Sequence, residues 1–268
     1  MNREFDPLPD SNPDLVVLRQ QLRRWESTAV TSRRSFSSGC AELDDILPDQ
    51  GFRQGTLVEW FVSQAGTSVG SLALLAARSA MQWGGALAVL DRLRRFYPPS
   101  AASWDIDLEK LLWVQAANEK EEMWALDQAL RSPAIAAVWI CLPQVDAIAF
   151  RRMQLAVEAS GCVGMLIRPG STKGQPSWSD VQLSVKPLVR PVQPHSPWID
   201  IRQPANENRL FQVSVVRGRG KEGAVVELEL DQATGTLRKA AHASGESHPL
   251  HLASELAYSA HGRRASGA

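Results

Sequence analysis

The chain has 268 residues, 44% hydrophobic and 22% charged, with Lys+Arg and Asp+Glu both at 29 and a net charge of zero. This is the composition of one large globular domain with appendages, and it creates no overall basic field, so any nucleic-acid surface must be local. Cys40, Cys141 and Cys162 form no C-x-x-C pair or Cys/His cluster for zinc, and no apolar run approaches the roughly 18 residues of a membrane helix.

The first stretch, "MNREFDPLPDSNPD", is acidic and Pro-rich and lacks the basic and apolar regions of a signal peptide. With an odd number of cysteines it suits a reducing cytoplasm. Asp14 is placed to cap a helix to about Glu26, with Leu15, Leu18, Leu22 and Trp25 on one stripe. That stripe serves either packing on the chain's own domain or a partner. Residues 1–35 are taken as an N-terminal extension, 36–240 as the main domain and 241–268 as a flexible tail. The tail's His242, His248, His251 and His261 fit no metal-ligand spacing.

Within the main domain, "GTLVEWFV" (Gly55–Val62) reads as a strand and Leu72–Trp83 as a helix stopped by Gly84 and Gly85. Strands follow at Ala86–Asp91 and around Leu111–Gln115, then an amphipathic helix over Glu121–Ser132. "AIAAVWICL" (Ala134–Leu142) is apolar throughout, as a strand buried on both faces requires. A further helix ("AFRRMQLAVEAS") and strand ("CVGMLIRP") complete the alternation, which predicts a parallel sheet with helices on both faces. Beyond Pro169, "VQLSV" and the stretch from Leu210 to Ala240 alternate apolar and polar residues and read as antiparallel strands at the sheet edge. The connector "KPLVRPVQPHSPW" is too Pro-rich for an interior strand.

"QAGTSVGSLALLAARSA" (Gln64–Ala80) has the rhythm of a phosphate-binding loop entering an apolar helix. The segment before it, "FSSGCAELDDILPDQGFRQGTLVEWF", carries a Ser-Ser-Gly, a Leu-Asp, a Gly-x-x-x-Gly and a Val-Glu. Farther on come "VLD" and "DIDLEKLLWVQAANEKEEMWALDQALRS". In this order, over about Phe36–Ala240, they resemble the RecA-type ATPase core. The implied fold is an α/β RecA-like P-loop NTPase, mostly parallel, with antiparallel strands added at the C-terminal edge and an N-terminal helical extension. "LALLAARSAMQWGGAL" and "ALAVLDRLRRFYPP" resemble, more narrowly, the ImuA-type proteins of bacterial SOS mutagenesis, which are related to SulA-type division inhibitors.

Against the family motif the loop is degenerate. Gly66, Ser68, Val69, Gly70 and Ser71 are the candidate phosphate-loop residues, yet Val69 stands where the lysine belongs and Gly70 where the hydroxyl belongs. Leu93 takes the place of the water-activating glutamate. Cys141, or Leu142 in a shifted register, takes that of the acid ending the strand. The resemblance with these losses implies no catalytic residue, no metal and no obligatory cofactor beyond residual nucleotide or anion binding. The expected protein is a non-enzyme, a degenerate ATPase.

Two basic elements are candidates for partner or DNA contact: Arg92, Arg94 and Arg95 in "DRLRRFYPP", and Arg217, Arg219 and Lys221 in "VVRGRGKEG". Arg168 and Lys173 keep the loop after Pro169 basic, where the RecA family has a DNA-binding loop. By resemblance, the partners would be an ImuB-like Y-family polymerase homologue, an error-prone replicative-type polymerase, and also RecA or DNA, with no membrane. The favoured function is an accessory role in translesion synthesis. The alternatives are a SulA-like division inhibitor and a nucleotide-dependent DNA-binding ATPase.

Overall fold

The computed structural model describes residues 33–63, 68–188 and 208–240. The expected N-terminal helix, most of the extension, the tail and Gly66 lie outside the described residues.

A short antiparallel pair opens the domain. β1 (Ser35–Phe36) lies against β2 (Phe52–Arg53), with helix α1 (Ala41–Ile46) between them in sequence. Ser35, assigned to the extension from sequence, is thus already paired with Arg53. The main strands are β3 (Leu57–Val62), β4 (Ala86–Leu90), β5 (Leu111–Val114), β6 (Ile135–Cys141), β7 (Val163–Pro169) and β8 (Val181–Leu188). β9 (Arg209–Arg217), β10 (Val225–Asp231) and β11 (Thr236–Lys239) complete the sheet, in the order β11-β10-β9-β8-β3-β7-β6-β4-β5. β8 through β5 are mutually parallel, and β9, β10 and β11 are added antiparallel beyond β8. The α/β fold expected from the alternating pattern is the fold observed.

The remaining helices are α2 (Val69–Ala80), α3 (Pro98–Ser103), α4 (Glu119–Arg131) and α5 (Ala147–Ser160). Strand alternation sorts the core into two clusters. Val58, Trp60, Val89 and Trp139 face α2, while Leu57, Leu90, Ile140 and Leu166 face α4 and α5. α2 is Ala-rich and buries Leu72, Leu75, Ala73, Ala76 and Ala77, so it can approach β6 and β7 closely. α4 starts at Glu119, because the Asn118 side chain accepts the Glu121 N–H, while the Glu121 carboxylate accepts from the Asn118 side-chain Nδ2 and from the Ala117 backbone N–H. Asp146, beyond the end of β6, caps α5 by accepting the Ala149 N–H at 2.8 Å.

The connector after Val185 departs from expectation. β8 runs on through Lys186, Pro187 and Leu188, paired with β9. On its other side β3 ends its pairing at Val185. Pro187 therefore sits where the strand has a single neighbour, and its missing N–H breaks no ladder.

Candidate functional site at the carboxyl edge of the sheet

The strands β3, β4, β6 and β7 end side by side, and two adjoining cavities open there. One, of about 440 Å³, lies over Leu90, Cys141 and Ile167. The other, of about 470 Å³, runs from Ser68 at the start of α2 to Trp139 and Tyr97. Both are lined by Val62, Arg95, Cys141 and Ile167. Open α/β sheets place their ligands at this edge.

The start of α2 has been filled from within the protein. Val69 is fully buried, and the Trp139 indole N–H donates to the Gly70 carbonyl at 2.9 Å. A Cβ at Gly70 would meet the Trp139 ring at 3.1 Å, so the glycine is what lets the ring approach. Ser68 is the described phosphate-loop residue bonded to a cation, its Oγ accepting from Arg209 Nη1 of β9 at 2.8 Å. Ser71 lines the larger cavity.

Asp91, just after β4, has a structural use. Its carboxylate accepts the backbone N–H groups of Arg95 and Phe96, both at 2.8 Å, and closes the turn after β4. Arg94 is thereby held at φ +54°, a left-handed conformation that costs a non-glycine residue about 1 kcal/mol or more. Leu93, expected from sequence to stand in a glutamate's place, is 49% exposed on this turn. Burial pushes the Cys141 thiol up to about 11, although nearby Arg95 acts in the opposite direction. No group of His, Cys, Asp or Glu capable of holding a metal occurs among the described residues. A buried valine, a glycine with an occupied carbonyl, an exposed leucine and a protonated thiol supply neither the cation, the hydroxyl nor the acid that a magnesium-bound nucleotide needs.

The structure divides the basic residues differently from the sequence. Arg92 is consumed by an ion pair from its Nε to Glu122 Oε2 of α4 at 2.9 Å. Arg94 and Arg95 are exposed and enter no ion pair among the described residues, so the expected three-charge patch is two charges. Phe96 turns inward and packs edge-on to Trp113 at 5.8 Å. The Arg217–Lys221 turn lies at the opposite edge of the sheet, where β8 begins, so the two basic elements share no surface. There Arg217 donates to the Ser177 carbonyl, Arg219 lies 4.0 Å from Asp180, and Lys221 donates to the Asp45 carbonyl.

Arg168 is corrected outright as a DNA-contacting candidate. It is 1% exposed and forms an ion pair with the buried Glu59 of β3. Gln175, Ser177 and Ser179 of the following loop bond to this pair, so the loop is fastened down against the sheet. Lys173 bonds Ser184 of β8. The sequence contained one signal for this, a glutamate inside an otherwise apolar strand, which needs a partner if buried.

With this geometry in view, comparison with known proteins shows that the chain has a RecA-like recombinase fold. The solved structure of the RadB recombinase superposes with a TM-score of 0.54 at 15% identity, covering 76% of this chain and 99% of that one. Protein RecA of Chlorobaculum parvum is 27% identical over 114 residues, which is 42% of this chain and 33% of that protein. The matched segment thus spans about a third of the RecA protein's length. No protein-family model matches the chain. These likenesses correct the expectation that the chain is not an enzyme. One of these proteins is the RadB recombinase and the other is RecA, and motif positions filled by other residues do not make a chain of this fold a non-enzyme.

Proposed function

We propose that the chain is a RecA-type accessory protein of DNA damage tolerance, of the ImuA kind, acting in translesion synthesis through contacts at the carboxyl edge of its sheet. The reading is carried by one observation. At the edge where this fold class takes its ligands, the turn after β4 presents Leu93, Arg94, Arg95 and Tyr97 outward, while the motif positions beside it are turned inward or filled. Exposed arginine and aromatic side chains beside a cavity are the composition of a protein contact surface. The partners the reading names are an ImuB-like polymerase homologue and an error-prone replicative-type polymerase, with RecA and DNA as further candidates. A main domain that begins before Ser35 and ends near Ala240, and a cytoplasmic location, belong to the same proposal.

Deleting the gene should lower damage-induced mutagenesis and leave damage-induced division arrest unchanged. Unchanged mutagenesis with lost arrest would instead support a SulA-like division inhibitor.

A second reading, a nucleotide-dependent DNA-binding ATPase, is favoured by the sequence likeness to RecA and by the Arg209 guanidinium at Ser68. Nucleotide titration and DNA-stimulated turnover of the purified chain test it directly.

A further inference from the structure

We infer that the cleft beside the β4 turn receives an acidic segment of a partner protein that inserts one large apolar side chain, and that it does not receive a nucleic-acid backbone. The inference rests on the reading above only in taking this edge as a contact surface.

Three independent features converge on that occupant. The cavity has an apolar share of lining in Leu90, Ile167, Pro143 and the uncharged thiol of Cys141, beside the internally paired Arg92, Glu122 and Arg168. A volume of about 440 Å³ admits a large aromatic or branched side chain with its flanking backbone. The mouth carries exposed Leu93, which extends the apolar surface outward. The charged phosphodiester backbone has no apolar group to place there, whereas a Trp, Phe or Leu anchor gains burial; a splayed-out base is the competing occupant that the oligonucleotide control tests.

The charges at the mouth select the flanking residues. Of the charged residues of the turn and the cavity wall, Asp91 is occupied by two backbone N–H groups, Arg92 is paired with Glu122, and Arg168 is paired with Glu59. Arg94 and Arg95 remain, exposed and outside any ion pair among the described residues. Two adjacent guanidinium groups match carboxylates on either side of an anchor. Nucleic acid would need a longer basic track, and the other basic turn lies at the opposite sheet edge.

The turn is also built before any partner arrives. The Asp91 carboxylate fixes two consecutive amides and holds Arg94 at φ +54°. A non-glycine residue persists there only when its surroundings over-determine it, and such strain clusters at binding sites. A fixed turn lowers the ordering cost of binding.

The test uses the full chain and fluorescence anisotropy. The probe is a synthetic peptide with one Trp flanked on both sides by glutamates. Its controls are a peptide with Ala for Trp, a peptide with lysines for the glutamates, and a labelled single-stranded oligonucleotide. The acidic Trp peptide should bind, and each control peptide should lose about tenfold or more in affinity. Leu93→Asp and the double change Arg94→Glu/Arg95→Glu should each weaken the probe by a similar factor while keeping the parent's thermal transition. Both sites are exposed, so these variants should fold, and Tyr97→Ser provides a further exposed variant at the rim. Three results would overturn the inference: equal binding of the acidic and lysine peptides, probe binding unaffected by both variants, or tighter oligonucleotide binding lost in the arginine double variant. A mutagenesis phenotype that survives any of these would leave the accessory role standing and remove only this partner chemistry.

Discussion

Glu59 and Arg168 form an ion pair with essentially no solvent exposure, between neighbouring parallel strands β3 and β7. Burial by itself would raise the Glu59 carboxyl. Hydrogen bonds from Ser177, Ser179, Arg168 and Gln182 outweigh that and hold it below its ordinary value. The guanidinium also faces the Phe150 ring at 5.7 Å. The pair thus anchors one face of the sheet, the loop 170–180 and helix α5 to one another.

Removing one partner leaves a buried charge uncompensated, at a cost of about 3–5 kcal/mol. Glu59→Gln or Arg168→Met should therefore lower the denaturation midpoint sharply, and limited proteolysis should cut first within 170–180. Replacing both residues by apolar ones of similar volume should recover much of the loss. Equal instability of single and double variants would contradict the pairing account.

The same carboxyl gives a pH dependence with a defined sign. Its folded pKa is depressed, so its contribution to stability is full above the unfolded value of about 4.3. It is lost as pH falls below that value through the lower folded one. Chemical denaturation from pH 7 to 3 should show acid destabilisation that is smaller in Glu59→Gln.

The turn after β4 yields a prediction in which stability and binding move in opposite directions. Arg94→Gly relieves the left-handed strain and should leave stability equal or raise it by up to about 1 kcal/mol. It also removes one of the two unpaired charges and should weaken partner association. Asp91→Ala leaves two turn amides without their acceptor and should cost about 1–3 kcal/mol. Differential scanning calorimetry with the peptide titration separates the two effects.

The sheet was legible because its signals are local and repeated. An apolar run such as "AIAAVWICL" has no soluble alternative to a doubly buried strand, and alternation from Leu210 onward specifies edge strands. Element starts were less legible, although Asn118 and Glu121 have the spacing of a reciprocal cap and Pro98–Pro99 mark the first turn of α3. The site was read less well, since its partners come from distant sequence. Nothing near Arg92 indicates that Glu122, 30 residues on, will neutralise it. Likewise, nothing near Gly70 indicates that Trp139, 69 residues on, will take its carbonyl. Arg168 looked like a loop cation because its strand ends there, and only Glu59 explains why it turns inward.

The cysteines differ in access while sharing a high pKa. Burial raises Cys40 and Cys141 to about 11 and Cys162 to about 12, so all are protonated at neutral pH. Alkylation at pH 8 should be slow at each, with Cys141 modified first because it alone of the three is not fully buried. Peptide mapping by mass spectrometry reads the order, and Cys162 labelled ahead of Cys141 in folded protein would contradict the burial of Cys162 at the entry to β7.

Rebuilding the phosphate loop tests why its motif residues are what they are. Val69 is fully buried at the first turn of α2, so a lysine there would have to desolvate its ammonium or displace the turn. Gly70→Thr would drive a β-branched side chain into Trp139, whose ring already lies 3.1 Å from the site of a Cβ. Each single change should therefore destabilise the fold by about 1–3 kcal/mol through overpacking or a buried charge. Adding Trp139→Ala should relieve the Gly70→Thr clash but not the Val69→Lys penalty, because the indole adjoins Gly70 and Val69 faces the core. Equilibrium denaturation of the four variants, Val69→Lys and Gly70→Thr each with and without Trp139→Ala, measures this coupling. A Gly70→Thr penalty unchanged by removal of the indole would mean that the Trp139 contact does not set the residue at position 70.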